Sequence, residues 1–391
     1  MTVALIADVL GQENNGTTIA CMNLVRSLKE MGDRVNIVCC DQEKKNQDGY
    51  YVVGTCNLGP FLNKVVEKNN VSLAKADKKV IYSALKDADI VHIMMPFSLG
   101  QKAAKIAKEL NKPVSAGFHV QAENFTSHIG MMNIGLVNLM TYKFFYNHLY
   151  RYVDSVHYPT EFIRELFETT VKKKTNAYVI SNGVNKSFIP KKIEKPDRIR
   201  DKFVILFIGR YSKEKSHSVL IKATALSKYK DQIQLILAGQ GPEEERIKRL
   251  AKKEKINMPI MKFFSRNELV DVINYSDLYC HPSAIEIEAI SCLEAMSCGL
   301  VPLISSSPRS ATKSFALDER NLFRSNDPKD LATKIDYWIE HESERRRMSH
   351  EYINSSIAQL LRKLGINQPK HFLLVSIEMP NFSKISKCCF F

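Results

Sequence analysis

"AIEIEAISCLEAMSCG", residues 284–299, sets Glu286, Glu288 and Glu294 among Ile285, Ile287, Leu293 and Met296. From Glu288 to Cys298 the apolar spacing predicts a helix, and Gly299 behind it suits a left-handed cap. The stretch before it, "DLYCHPS" (277–283), predicts a short buried strand ended by Pro282 and Ser283. The glutamates therefore fall where the carboxyl end of a strand meets a helix N-terminus, which is where open α/β sheets bind ligands. For Glu288 there is a plainer reading: a carboxylate in the first turn complements the helix dipole.

The same alternation runs outward in both directions. In the first half "TVALIAD", "RVNIVCC", "DIVHIMM", "PVSAGFH", "SVHYPT" and "AYVIS" predict strands, with helices such as "TTIACMNLVRSLKEMG" and "QKAAKIAKEL" between them. The second half restarts with "FVILFIG", "IQLILAG", "PIMKFF", "DLYCHPS" and "LVPLIS". Strands separated by helices imply parallel sheets covered on both faces. The fold class is α/β, with two Rossmann-like doubly wound domains facing across a cleft. Between the halves lies "NGVNKSFIPKKIEKPDRIRDK" (182–202), with two prolines, seven basic and three acidic residues. The expected division is an N-terminal domain over 1–182, a basic hinge over 183–202, a second domain over 203–345 and a C-terminal helix and atypical tail over 346–391. Residues 344–364 read as a basic helix, but residues 365–391 have no clear period. The chain's end, Cys388-Cys389-Phe390-Phe391, formally fits a prenylation box, with a frayed apolar tail as the alternative.

At 391 residues the chain is long enough for two cores, and 45% hydrophobic with 25% charged residues describes a soluble globular protein. "MTVALIADVL" has no basic n-region and carries Asp8 in its apolar run, so it reads as a first strand rather than a signal peptide. Nine cysteines without a C-x-x-C suit reduced thiols in a cytoplasm, not a disulfide framework or zinc site. A net charge of +14 seeks phosphate: nucleic acid, anionic lipid or a phosphorylated small substrate. No nucleic-acid-binding signature is present, so no nucleic-acid partner is expected.

"GRYSKEKS" (209–216) follows the strand "FVILFIG" and precedes the helix "HSVLIKATALS", which brings Arg210 and Lys215 to a helix N-terminus. Two cations there can neutralise a diphosphate, Arg as a fork and Lys as a point charge. "AGQGPEEE" (238–245) adds a Gly-rich turn after the next strand, and Glu286 and Glu294 come later with seven residues between them. Taken in this order within one half, these features resemble the retaining family 4 glycosyltransferases of the GT-B fold. "HPSAIEIEAISCLEAMSCGLVPLIS" is similar to that family's P-S-x-x-E…L-E-A-M-x-C-G-x-P-V-I segment, and "GRYSKEK", "GQGP" and "VISNGV" match three further motifs. In the first half, "NNGTT" stands where the family has its glycine loop, and "PVSAGFHVQAEN" resembles its active-site histidine segment.

The resemblance implies a role for each matched residue. Arg210 and Lys215 would hold the diphosphate of a nucleotide sugar, a UDP-sugar by expectation, and Glu294 would accept from the ribose hydroxyls. Glu286 would contact the donor sugar near the reacting carbon, with Ile290 and Ser291 adding donor contacts. His119 would approach the sugar from the other domain, with His128 and His157 as competing histidines, and the amides around Gly16 would close over it. The reaction would retain configuration and need no cofactor and no metal. Asp87-Ala88-Asp89 is the only D-x-D and sits at a helix-to-strand junction, a poor metal site.

Three departures stand out. Ile287 and Ala289 replace small residues, often glycines, after the first glutamate; Ser216 replaces a glycine after the lysine; and the final helix that crosses back to the first domain is not recognisable after Lys363. They leave a non-catalytic scaffold of the same fold as the alternative to an enzyme. A Rossmann dehydrogenase is excluded because "GQENNG" lacks the G-x-G-x-x-G spacing. For the acceptor, the stretch from Asn124 to Val153 has no acidic residue and carries six aromatics after Ser127. It reads either as an interfacial element resting on an anionic membrane or as core helices of the first domain. The expected acceptor is a lipid, a lipid-linked sugar or a cell-envelope glycan, and the expected location cytoplasmic, at or near the membrane's inner face.

Overall fold

The computed structural model of the protein describes residues 1–8, 10, 16–57, 59, 73–127 and 130–355. The tail beyond residue 355, the segment just before Gly16 and His128 lie outside that range, and so do the sequence readings placed on them. The first sheet contains β1 (Thr2–Ile6), β2 (Arg34–Cys39), β3 (Tyr50–Val52), β4 (Ile90–Ile93), β5 (Val114–Gly117), β6 (Ser155–Tyr158) and β7 (Ala177–Val179). The second contains β8 (Phe203–Ile208), β9 (Ile233–Ala238), β10 (Ile260–Lys262), β11 (Leu278–His281), β12 (Pro302–Ser305) and β13 (Leu322–Phe323).

Their orders are β3-β2-β1-β4-β5-β6-β7 and β10-β9-β8-β11-β12-β13, and every paired strand runs parallel. Each sheet starts in its middle, winds outward to one edge and then returns to wind outward to the other. The crevice opens where the winding reverses: between β1 and β4 in one sheet and between β8 and β11 in the other. Every residue of β4, β5, β9, β11 and β12 is buried, which is why these strands read as continuous apolar runs. β3 and β13 went unread in the sequence, because runs of three and two residues are too short to carry a period.

The 182–202 stretch lies on the second domain, with Lys195 Nζ 2.5 Å from Asp277 Oδ2 and the Lys191 amide on Asn274 Oδ1. Two side chains of the opening motif cross to the first domain. Ile290 belongs to the apolar cluster that covers one face of the first sheet, and Ile287 packs against the cluster on the other. The seven described cysteines are free thiols, six of them buried.

The acid-free stretch splits by face. In the helix Gly135–His148, Tyr142 and Phe145 are buried at 1% exposure, while Leu136, Met140 and Phe144 stand 67%, 63% and 45% exposed. No helix among the described residues is long and apolar enough to cross a membrane.

Candidate active site

The loop leaving β8 carries Arg210, then the short turn Lys213–Lys215, then Ser216 and the helix His217–Leu226. The glycines of "GQG" make room for this loop. A Cβ on Gly239 would come within 2.1 Å of the Gly209 carbonyl oxygen, and one on Gly241 within 2.6 Å of that of Tyr211. The G-x-G turn thus acts by close backbone packing that holds the Arg210 loop in place. Burial lowers the Arg210 pKa, against the opposing pull of Glu214.

The loop leaving β11 brings Glu286 to Lys215, whose ammonium donates to Oε1; the two form an ion pair. His281 Nε2 lies 3.0 Å from the same oxygen. Burial alone would push the Glu286 carboxyl up, but Lys215 and His281 overcome it and hold the pKa at about 2. The backbone is held as well: the Glu286 amide faces the Arg309 carbonyl at 3.4 Å, and Ala311 N–H donates to the Glu286 carbonyl at 3.0 Å.

Glu294 occupies a separate place. Arg266 donates to its Oε1 at 2.5 Å, while Oε2 is buried with no hydrogen-bond partner among the described residues. Burial raises its pKa; Arg266, and Arg26 from the first domain, pull the other way. Such an orphaned buried acceptor costs about 1–3 kcal/mol unless a ligand supplies the donor.

From the first domain, His119 follows β5 with its ring over Gly117, where a Cβ would sit 2.3 Å from Nε2. Its carbonyl faces Thr17 Oγ1 at 3.4 Å, so His119 and the helix Gly16–Glu30 meet. The Arg309 carbonyl that faces the Glu286 amide also accepts from Gln121 Nε2 at 3.3 Å, joining the His119 segment to the Glu286 loop. The helix Ala122–Ser127 packs on the Lys213–Lys215 turn from the same side. Burial, reinforced by His157 and His92, drives the His119 pKa well down, so the ring is neutral. The nitrogens of these three histidines lie within 4.8 Å of one another. His157 Nε2 sits 2.5 Å from the Ile180 carbonyl oxygen, and His92 Nδ1 2.8 Å from Ser115 Oγ.

Several readings need correction. The helix begins at Ile290, not Glu288, because Ala289 takes a left-handed conformation at φ 63 and ψ 64. Glu288 consequently does not serve the helix dipole. Its carboxylate reaches the first domain's end, accepting from Asn182 Nδ2 at 2.6 Å and from the Asn182 amide at 3.1 Å. Ser291 Oγ points back at the strands, 3.2 Å from the Ile208 carbonyl oxygen, and Ile290 is an apolar contact between domains. Asp89 accepts from the Thr2 amide at 2.7 Å, while exposed Asp87 lies 3.6 Å from Lys86.

Two of the three departures from glycine, Ser216 and Ala289, keep a backbone shape that glycine favours. Ser216, like Ala289, has positive φ (53), so both side chains sit on backbone that glycine adopts at no steric cost. Left-handed alanine costs about 1–2 kcal/mol, partly offset by the lower entropy of the unfolded chain. Ala289→Gly is expected to raise unfolding stability by about 0.5 kcal/mol in a urea titration; a fall would mean that the Cβ packs better than its backbone is strained.

Sequence reading missed His281, Arg266 and Asn182 as members of the site. For His281 the available signal was a polar residue ending a wholly apolar strand.

Residues 188–354 match the family model described as Glycosyl transferases group 1, and residues 14–188 match Glycosyltransferase Family 4. The chain is a family 4, group 1 glycosyltransferase. It is 23% identical to the alpha-monoglucosyldiacylglycerol synthase of Streptococcus pneumoniae, over 78% of this chain and 71% of that one. The structure of Anabaena HepE with UDP and glucose superposes at TM-score 0.75, with 16% identity and coverage of 96% of this chain and 100% of that one. That likeness concerns the fold. The catalytic domain of the cholesterol-alpha-glucosyltransferase of Helicobacter pylori is 52% identical over 40% of this chain and 98% of its own, at a TM-score of 0.39 that bears on no geometry here.

Proposed function

We propose that this glycosyltransferase moves a hexose from a UDP-sugar to a membrane lipid or lipid-linked glycan, with retention of configuration and without a divalent metal. The observation that carries the reading is the meeting of Lys215 and Glu286 at the carboxyl ends of β8 and β11, with the His119 segment closing from the first domain. Arg210, Lys215 and the free amides at the start of the helix His217–Leu226 would stabilise the departing diphosphate, which is where negative charge develops. Glu286 would lie on the sugar side, its carboxylate facing the positive charge that builds at the anomeric carbon. The bond from that carbon to the diphosphate breaks as the acceptor oxygen bonds on the same face, and the hydroxyl proton leaves with the phosphate. Neutral His119 would hydrogen-bond the sugar without competing for the anion.

The acceptor reading rests on Leu136, Met140 and Phe144, three exposed apolar side chains four residues apart on one helix face, beside exposed Lys143 and Arg151. Such a face can enter the headgroup region while its cations meet lipid phosphate. The S. pneumoniae relative, whose name specifies a glucosyldiacylglycerol product, agrees with a lipid acceptor.

The test is transfer from a panel of UDP- and GDP-sugars, with EDTA, to vesicles carrying diacylglycerol, a sterol or a polyprenyl-linked sugar. NMR of the product reads the anomeric configuration. An inverted product, or dependence on magnesium or manganese, would overturn the corresponding part. For the surface, Leu136→Ser with Met140→Ser and Phe144→Ser is expected to abolish co-sedimentation with anionic vesicles and leave the melting temperature within a few degrees. Phe145→Ala should instead cost about 3–5 kcal/mol of stability as a core truncation. Undiminished vesicle binding by the triple variant would remove this face from the membrane.

A further inference from the structure

We propose that His281 is a positioning residue for Glu286, the last donor in a one-way hydrogen-bond relay that runs from Tyr279 to the donor-sugar pocket. The inference rests on the reading of Glu286 as the carboxylate beside the sugar. His281 is the final residue of β11, and its ring is buried together with Tyr279. Four contacts are in series: Ser291 Oγ to Tyr279 Oη at 3.1 Å, Tyr279 Oη to His281 Nδ1 at 3.1 Å, His281 Nε2 to Glu286 Oε1 at 3.0 Å, and Lys215 to that same oxygen.

The direction of each bond comes from counting protons. Beside Lys215 the Glu286 carboxyl is ionised and can only accept, so His281 carries its proton on Nε2. Nδ1 is then an acceptor and takes the Tyr279 O–H. The Tyr279 oxygen, having used its own proton, can only accept from Ser291, whose single proton also faces the Ile208 carbonyl oxygen at 3.2 Å. The Tyr279 and His281 protons therefore each have one place to go, and the imidazole has one tautomer. Burial lowers the His281 pKa, against the opposing pull of Glu286, which keeps the ring neutral, as this order requires.

The consequence is mechanical. Lys215 pairs with Glu286, and an arriving diphosphate competes for that ammonium. Once the grip loosens, a flexible glutamate could follow the lysine or turn away from the sugar. A neutral N–H fixed from behind by Tyr279 does not move with the ligand, so it holds Oε1 in place through the exchange.

The test compares His281→Gln with His281→Asn. A glutamine amide reaches the position of Nε2 and can still donate to Glu286, whereas an asparagine amide reaches only that of Nδ1. The Asn variant is expected to lose about 10- to 100-fold in kcat, the scale of one hydrogen bond to a charged group. Its affinity for UDP alone, which has no sugar to meet Glu286, should stay within about twofold. The Gln variant should recover kcat to within about fivefold of wild type. Equal losses in both variants, or a loss confined to UDP affinity, would overturn the positioning role. A readout independent of turnover is the 13C titration of the Glu286 carboxyl: its midpoint should rise by about 1 pH unit in His281→Asn and return in His281→Gln. If no UDP-sugar is turned over by the wild type, the functional reading fails while this titration still decides the contact. An unchanged midpoint in the Asn variant sinks the inference whatever the activity.

Discussion

Lys215→Ala is expected to lose about 2–4 kcal/mol of transition-state stabilisation, a fall of roughly 30- to 1000-fold in kcat/KM, and to unfold more easily as well. The first effect is that of removing one preorganised cation from a leaving diphosphate. The second comes from Glu286, whose buried carboxylate would be left with His281 alone. Breaking a buried pair from one side costs about 3 kcal/mol or more, chiefly through the charge left behind. The sign of its pH dependence is fixed by the carboxyl's depressed pKa of about 2 against an ordinary 4.5. The native state binds fewer protons than the unfolded chain between those values, so the pair's stabilisation is full above about pH 4.5 and fades as pH falls towards 2. In Lys215→Ala that acid-sensitive part should shrink. Adding Glu286→Gln removes the stranded charge, so the double variant should recover stability to within about 1 kcal/mol of wild type without recovering turnover. If stability and activity return together, Lys215 serves the fold and the diphosphate lies elsewhere. Arg210→Ala, whose side chain is not part of this pair, should show the catalytic loss without the acid-sensitive one.

What could be read from the chain divides along physical lines. The two sheets and the loops after β8 and β11 were legible because parallel strands buried on both faces leave unbroken apolar runs, and because the ends of those runs carry charge. Arg210, Lys215, Glu286 and Glu294 were nameable for that reason, with family resemblance supplying roles that spacing alone could not. His281 was not, since a histidine ending a buried strand looks the same whether it fills space or holds a carboxylate. Arg266 opens a helix whose capping box, Ser265 with Glu268, gives it an ordinary local explanation. The start of the helix at Ile290 was misread because nothing in an alanine announces a left-handed backbone. Phe144 and Phe145 were inseparable because their helix is apolar nearly all round, so no periodicity told which ring faced the core. Contacts between residues distant in sequence, such as Glu288 with Asn182, leave no local trace at all.

Glu294→Ala and Glu286→Ala should divide binding from turnover. Glu294 has one carboxylate oxygen on Arg266 and the other buried without a partner among the described residues, a site that gains most from a ligand hydroxyl able to donate. A ribose contact is made equally in the ground and transition states, so its loss should weaken UDP binding by about 10- to 100-fold and leave kcat at saturation within about threefold. Arg266, then without its carboxylate, keeps its stacking over the Phe188 ring at 4.5 Å and is partly exposed, which limits the damage to the fold. Glu286 is the opposite case. Its Oε1 is engaged by Lys215 and His281, so it has little to add to nucleotide affinity. Its charge matters as the sugar carbon becomes electron-poor, which places the loss from Glu286→Ala in kcat, by about 100-fold or more, with UDP affinity nearly unchanged. Calorimetry with UDP and steady-state rates with the sugar nucleotide separate the two. Matching losses of affinity in both variants, with kcat intact, would mean that both glutamates hold the nucleotide and that the reacting carbon lies against other groups.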